Sequence, residues 1–362
     1  VRVLIAGGGT GGHLYPGIAV ARELLRRHPE AVVTFAGTAA GVEARVVPRE
    51  GFVLDLIRVS GLKGKSLADR LRGFARLPLA ALDAWRIVSR RRPDVVVGVG
   101  GFASGPVLLI AALRGYPTML LEQNAVPGIT NRLLARVVRA AAVTFDESLR
   151  FFPGTGFVAG NPVRPGFFAA PDSDDSPRDA REAPVRVLVF GGSQGAHAIN
   201  VAMMEAAPRL AGSGLEITHQ TGVRDLEAVR DAYRAAGLKA RVDAFLYDME
   251  GEMRAADLVV ARGGATTLAE LAAAGRPAIL VPLPTAADDH QRKNAEVIAR
   301  AGGAEVIDQR ELSGAHLADR ILALAADRER RCQMSLAIRT FARPDAAARI
   351  ADRVEQLAGA SA

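Results

Sequence analysis

Two glycine-rich stretches carry the first chemical signal in the sequence. Gly7-Gly8-Gly9-Thr10-Gly11-Gly12-His13 follows the apolar run Val1–Ala6 and precedes a helical spacing at Ile18, Val20, Ala21, Leu24 and Leu25. Gly191-Gly192-Ser193-Gln194-Gly195-Ala196 follows a second such run, Val185–Phe190. Strand, glycine turn and helix together aim backbone N–H groups and a helix N-terminus at a phosphate. Further polar or glycine-rich groups stand where other apolar runs end. They are Gly98–Pro106, Glu122-Gln123-Asn124, Arg262–Thr267 leading to Glu270, and Pro282–Asn294, which includes His290 and Gln291. Open α/β sheets bind ligands at the carboxyl ends of their strands. So many polar or glycine-rich strand ends together point to a bound ligand, with phosphate the group the glycine turns suit.

The elements that must position them alternate along the chain. Candidate strands in the first half are Val1–Ala6, Ala31–Ala36, Val53–Val59, Val95–Val99, Thr118–Glu122 and Ala141–Phe145. In the second half they are Val185–Phe190, Leu215–Gln220, Arg241–Ala244, Leu258–Ala261, Ala278–Val281 and Ala304–Ile307. Most are continuous apolar runs, as expected of parallel sheets covered by helices on both faces. The fold class is therefore α/β, with two doubly wound Rossmann-like domains. The boundary falls near Asn161-Pro162-Val163-Arg164-Pro165, giving residues 1–162 and 163–340, and Pro171–Pro184 reads as an exposed loop. A last helical pattern, Ala346–Leu357 within residues 341–362, can pack on either domain, the first among them.

Composition sets outer limits. A chain of 362 residues, 49% hydrophobic, can bury two cores. Cys332 is the only cysteine, which excludes an internal disulfide and fits a reducing compartment. The first residues already read as a buried strand rather than a signal peptide, and the longest apolar stretches are too short to cross a bilayer. The expectation is a protein in the cytoplasm or lying on a membrane surface. Charge is uneven: residues 1–160 carry a balance of +10 within an overall +7. A basic face of this kind suits nucleic acid, an anionic membrane or an acidic substrate.

Gly7, Gly9 and Gly12 satisfy the Gly-x-Gly-x-x-Gly pattern of dinucleotide enzymes. That fold places an acid at the end of its second strand to hold the ribose. Here the corresponding ends, Phe35-Ala36-Gly37-Thr38-Ala39-Ala40 and Thr218-His219-Gln220-Thr221-Gly222, contain none. The dinucleotide reading is weakened in both halves.

Taken in order, the motifs resemble a known family. Gly8–His13, Gly100-Gly101 with Ser104-Gly105-Pro106, Glu122-Gln123-Asn124 and Gly160-Asn161-Pro162-Val163-Arg164 come first. Gly191–Ala196, Gly264-Ala265-Thr266 with Glu270, and Asp289-His290-Gln291 with Asn294-Ala295 follow. The set resembles the MurG family, bacterial N-acetylglucosaminyltransferases that act on undecaprenyl-pyrophosphoryl-muramoyl-pentapeptide. The resemblance covers nearly the whole chain and implies the GT-B architecture, two Rossmann-like domains facing across a cleft. It implies UDP-N-acetylglucosamine as donor and the lipid-linked muramoyl-pentapeptide as acceptor, in peptidoglycan synthesis on the cytoplasmic side of the plasma membrane. Its implied partners are an anionic membrane surface and other cell-wall synthesis proteins, not nucleic acid.

The resemblance also assigns residues. Glu270 would accept hydrogen bonds from the uridine ribose, and the backbone at Leu246 would read the uracil edge. Ser193, Ala265 and Thr266 would meet the diphosphate, with Arg164 adding charge, and Thr267 and Leu268 belong to the donor-binding set. His290, Gln291 and Asn124 would read sugar hydroxyls. Thr10, Gly11 and Gly12 match donor-sugar positions, while Gly9, Gly101 and Ser104 would face the acceptor pyrophosphate. The reaction it implies is displacement at the anomeric carbon by the muramoyl 4-hydroxyl, with inversion, which needs a base for that hydroxyl. His13 is the candidate, since an unperturbed imidazole titrates near neutrality; the alternative is a histidine that only orients the loop. No Asp-x-Asp signature stands in the expected place, so no cofactor is implied and helix dipoles with arginine would stabilise the departing UDP. Leu121, Phe102 and Gly263 depart from residues common in the family, and they bear on acceptor details rather than on the donor set. Membrane contact is expected of Leu79, Leu82 and Trp85, rimmed by Lys63, Lys65, Arg72 and Arg76. A sugar-nucleotide-binding protein or a UDP-sugar epimerase on the same fold stays open as an alternative.

Overall fold

The computed structural model describes residues 1–59, 77–168, 184–192 and 195–360. The chain divides into two compact units. One comprises Val1–Val163 with Arg343–Ala362, the other Arg164–Ala342.

In the first unit the strands are β1 (Arg2–Gly7), β2 (Val32–Gly37), β3 (Val53–Leu56), β4 (Val95–Gly100), β5 (Thr118–Glu122), β6 (Ala140–Val143) and β7 (Gly156–Val158). They form one sheet in the order β3-β2-β1-β4-β5-β6-β7. Every pairing is parallel. The cause is visible in β4, whose Val95–Gly100 is buried at every position: side chains of both faces need cover, which only helices on both sides supply. One face packs Val3, Ile5, Val95 and Val97 beneath the helix Gly11–Arg27; the other packs Leu4, Val96 and Leu120 beneath the helices Leu77–Arg91 and Ser104–Leu113. The order reverses between β1 and β4, so their loops open side by side at the switch point, where such sheets take ligands.

The final helix, Ala346–Gly359, belongs to this unit. Ile350, Ala351, Val354 and Leu357 join the core beside the helix Gly11–Arg27, and Arg27 bonds to Asp352, Glu355 and the Ala348 carbonyl. Each of the larger apolar side chains contributes about 1.5–3 kcal/mol on burial, which fixes the helix on this unit.

In the second unit the strands are β8 (Arg186–Phe190), β9 (Glu216–Gln220), β10 (Ala240–Asp243), β11 (Leu258–Ala261), β12 (Ala278–Leu280) and β13 (Ala304–Val306). They are again all parallel, in the order β10-β9-β8-β11-β12-β13. The switch point lies between β8 and β11. Both units are thus Rossmann-like and doubly wound. Strand limits differ from the sequence reading by a few residues at most, and β7 is additional. It spans only Gly156–Val158 at the sheet edge, too short and too glycine-bound to leave a pattern.

Candidate active site

The second unit collects its expected residues along the carboxyl edge of one sheet. Leu246 follows β10, Gly191, Gly192, Gly195 and Ala196 follow β8, Ala265–Glu270 follow β11, and His290-Gln291 follow β12. The helix Ala265–Ala274 begins at Gly264 with no side-chain cap. Its first-turn amides have no acceptor within the helix itself. Leu268 is buried, so its side chain belongs to the core and only its backbone faces the site. Gly263 is required by close packing: a Cβ there would lie 2.4 Å from the Gln291 carbonyl oxygen.

Glu270 stands little more than a turn inside this helix and keeps partial solvent access. Burial pushes its carboxyl up to about 7, with Arg164 pulling downward and Glu250 adding to the rise. Arg164 itself pairs with Glu250, Nε to Oε1 at 2.9 Å, and its guanidinium lies 5.3 Å from the Phe167 ring. Its charge is therefore already half committed before any diphosphate arrives.

Asp288 and Asp289 adopt left-handed backbone conformations, φ +55° and +57°, immediately before the helix that opens with His290. Strain of this kind costs about 1–3 kcal/mol per residue and persists where a site needs a fixed entry angle. Gln291 Oε1 accepts from the Leu283 amide at 3.0 Å, which leaves its amide nitrogen as the end to read a hydroxyl. Leu246 is buried between two exposed rings, Phe245 and Tyr247, which meet edge to face at 5.1 Å. Gly195 backs onto the Thr221 carbonyl, where a Cβ would sit at 1.8 Å. Ser193 lies outside the described residues.

In the first unit the loops after β1 and β4 interlock. The Gly8 amide donates to the Gly100 carbonyl at 3.2 Å, and a Cβ on Gly101 would fall 2.1 Å from the Gly8 carbonyl. Gly101 is thus explained by this backbone contact. Thr10 is exposed and stands at the N-cap position of the helix Gly11–Arg27 without a side-chain capping bond, with Gly11, Gly12 and His13 in the first turn. His13 Nδ1 lies 3.2 Å from Gln123 Oε1. Asn124 turns back on Glu122: its backbone and side-chain nitrogens donate to Oε1 at 2.9 and 3.1 Å.

Gly9 and Ser104, expected at the acceptor pyrophosphate, both lie against the protein's own groups. The Gly9 amide donates at 2.7 Å to Glu43, a carboxylate only 1% exposed that also receives the Thr38 amide and hydroxyl. A pyrophosphate at that amide would meet this carboxylate instead of an open donor. Ser104 is buried, its Oγ close to Gly98, so the hydroxyl faces the core. Glu43 is the residue that sequence reasoning missed. It sits six positions past the end of β2 and folds back, and Gly8, Gly37 and Gly41 make room for it, since a Cβ on any of them would come within 2.1–2.5 Å of its side chain. Asp225 plays the same part beyond β9, bonded to Asn200 and His197. Both acids are engaged by protein donors rather than standing open at the strand ends, which weakens the dinucleotide reading further.

Glu43→Ala is expected to destabilise the first unit by about 2–4 kcal/mol, because buried donors lose their acceptor. Urea unfolding measures it, and an unchanged midpoint would show that the loop is held otherwise.

Among the described residues no group of three or more His, Cys, Asp and Glu side chains is placed to hold a metal ion. Lys63, Lys65, Arg72 and Arg76 lie outside the described residues. Leu79, Leu82 and Trp85 project into solvent from the helix Leu77–Arg91, and the Arg114 guanidinium stacks 4.3 Å from the Trp85 ring. Leu109 and Leu113 are exposed on the neighbouring helix. Among the described residues no helix is long and apolar enough to cross a membrane.

Two doubly wound units of this kind are the GT-B architecture, and the family comparison makes the chain a glycosyltransferase of that class. Residues 3–143 match the Glycosyltransferase family 28 N-terminal domain, and residues 186–350 the Glycosyltransferase family 28 C-terminal domain. The chain belongs to the MurG family within that class. It is 51% identical to the UDP-N-acetylglucosamine--N-acetylmuramyl-(pentapeptide) pyrophosphoryl-undecaprenol N-acetylglucosamine transferase of Anaeromyxobacter dehalogenans strain 2CP-C, over 97% of this chain and 92% of that protein. The crystal structure of Acinetobacter baumannii MurG superposes with a TM-score of 0.80 at 31% identity, covering 98% of this chain and 99% of the other. A UDP-GlcNAc 2-epimerase from Neisseria meningitidis shares the fold at a TM-score of 0.67 but only 11% identity, covering 98% of this chain and all (100%) of the epimerase chain. That likeness is one of architecture alone.

Proposed function

We propose that the chain transfers N-acetylglucosamine from UDP-N-acetylglucosamine to the 4-hydroxyl of the muramoyl group of undecaprenyl-pyrophosphoryl-MurNAc-pentapeptide. The observation that carries this reading is Glu270, a desolvated carboxyl on a helix whose uncapped start lies at the switch point of the second sheet. A carboxylate beside an anion-binding helix end suits a ribose joined to a diphosphate. Leu246 supplies backbone for the base, Ala265, Thr266 and Thr267 supply amides for the diphosphate, and His290 and Gln291 read the sugar.

The muramoyl hydroxyl oxygen attacks the anomeric carbon and the bond from that carbon to the diphosphate oxygen breaks. UDP leaves with the bonding pair, the hydroxyl proton passes to His13, and configuration inverts. Helix dipole and Arg164 offset the charge that develops on the diphosphate. Titration calorimetry of the folded protein tests the donor assignment: UDP-N-acetylglucosamine and UDP should bind and NADH should not. Heat from NADH with none from UDP would overturn it.

The acceptor is lipid-linked, so the first unit must reach a bilayer surface. Leu79, Leu82 and Trp85, with Leu109 and Leu113 beside them, form the apolar face for that contact, and the basic residues 63–76 add attraction to anionic headgroups at about 1 kcal/mol each. Binding to anionic vesicles should weaken as salt screens the charge. Leu82→Ser with Trp85→Ser should lower vesicle affinity at least about tenfold, since each apolar side chain contributes about 1.5–3 kcal/mol. Sedimentation with vesicles reads the change, and wild-type affinity in the double variant would place the membrane face elsewhere.

A further inference from the structure

We propose that Gln123 is a positioning residue that sets the tautomer of His13, keeping Nδ1 protonated so that Nε2 carries the lone pair that receives the acceptor's proton. The inference rests on the reading of His13 as the base.

Gln123 follows β5 and is 3% exposed. Its Nε2 donates to the Val99 carbonyl at 3.1 Å, and a carbonyl oxygen only accepts, so the carboxamide has one orientation. The opposite end, Oε1, lies 3.2 Å from His13 Nδ1. That oxygen also only accepts, so Nδ1 must bear the hydrogen, and a neutral imidazole then has its lone pair on Nε2. Gly100 closes the same side of the ring. Its φ of +94° keeps the backbone against the imidazole, where a Cβ would fall 2.6 Å from Nδ1. Two carboxylates stand nearby, Glu43 at the start of the helix Glu43–Arg49 and Glu122 at the end of β5, and both have other partners. Glu43 is bonded to Gly9 and Thr38, and Glu122 to Asn124 and Asn131. The Gln123 partner of Nδ1 is a neutral amide, which orients the ring without the charge that a carboxylate would bring.

Nitrogen-15 NMR of the His13 imidazole in the full-length protein tests this directly, because protonated and unprotonated ring nitrogens have well-separated shifts. Wild type should show Nδ1 protonated and Nε2 unprotonated at neutral to mildly alkaline pH, and folded Gln123→Met should lose that preference. A wild-type ring protonated on Nε2, or a tautomer unchanged in folded Gln123→Met, overturns the proposal. Kinetics give a second reading. Gln123→Met should lower kcat about tenfold or more with little change in donor KM. Gln123→Glu should move the acid limb of the pH profile upward by about one unit. An unmoved acid limb in an active Gln123→Glu variant also overturns it. Should the tautomer be as stated while His13→Ala retains full activity, the tautomer assignment stands and the base assignment falls.

Discussion

Alanine in place of His13 is expected to lower kcat by about 10²-fold or more, the usual contribution of a positioned general base. The acid limb of the pH profile should vanish with it, because protonation of this imidazole is what removes the base. Donor affinity should change far less than kcat, since most of the proposed donor residues, on the Leu246, Ala265–Glu270 and His290-Gln291 segments, belong to the second unit, and only Thr10, Gly11, Gly12 and Asn124 belong to the first. The side chain leaves the Gln123 amide oxygen behind, and its site is half-buried, so the fold should tolerate the change. A loss smaller than about fivefold with the limb intact would make His13 a loop-orienting residue.

The second large effect is expected at Glu270. Its replacement by alanine removes a charge-assisted acceptor worth about 1.5–3 kcal/mol, so donor KM should rise roughly ten- to a hundredfold while the protein stays folded. A 2′-deoxy donor should be penalised by wild type and far less by Glu270→Ala. The pH dependence has a fixed sign. With the carboxyl pushed up to about 7 by burial, the free protein holds it mostly protonated below that pH, and ribose hydroxyls need it ionised. Binding must then release a proton, so donor affinity should fall by up to about tenfold per unit below pH 7 and level off above it. The variant should lack this slope. Normal donor affinity in folded Glu270→Ala would remove the ribose assignment.

How much of this was legible in the sequence varies by element. Strands such as Val95–Val99 stood out because burial on both faces demands a continuous apolar run, and the glycine loops stood out because strand, turn and helix are local. The partner of the helix Ala346–Gly359 was not legible, because an amphipathic face states that it will be buried but not against what. Glu43 and Asp225 were hidden for a related reason. Each lies several residues beyond its strand, and its role exists only once the chain folds the carboxylate back onto donors such as the Gly9 amide and the Asn200 side chain. Several glycines of the first loop region, read from sequence as phosphate contacts, turn out to be set by backbone approach and by the space Glu43 occupies. The burial of Ser104 was not legible, because its position near a glycine turn does not say which way its helix rotates the hydroxyl.

The central claim is the transfer itself. Incubating the purified protein with UDP-N-acetylglucosamine labelled in the sugar and with a lipid-linked muramoyl-pentapeptide tests it most directly, with UDP release followed in parallel. The account predicts label in the lipid product at one sugar per UDP released, in a β-1,4 linkage, and no such product when the acceptor lacks its 4-hydroxyl. Epimerised or free labelled sugar, with no label in the lipid, would contradict it.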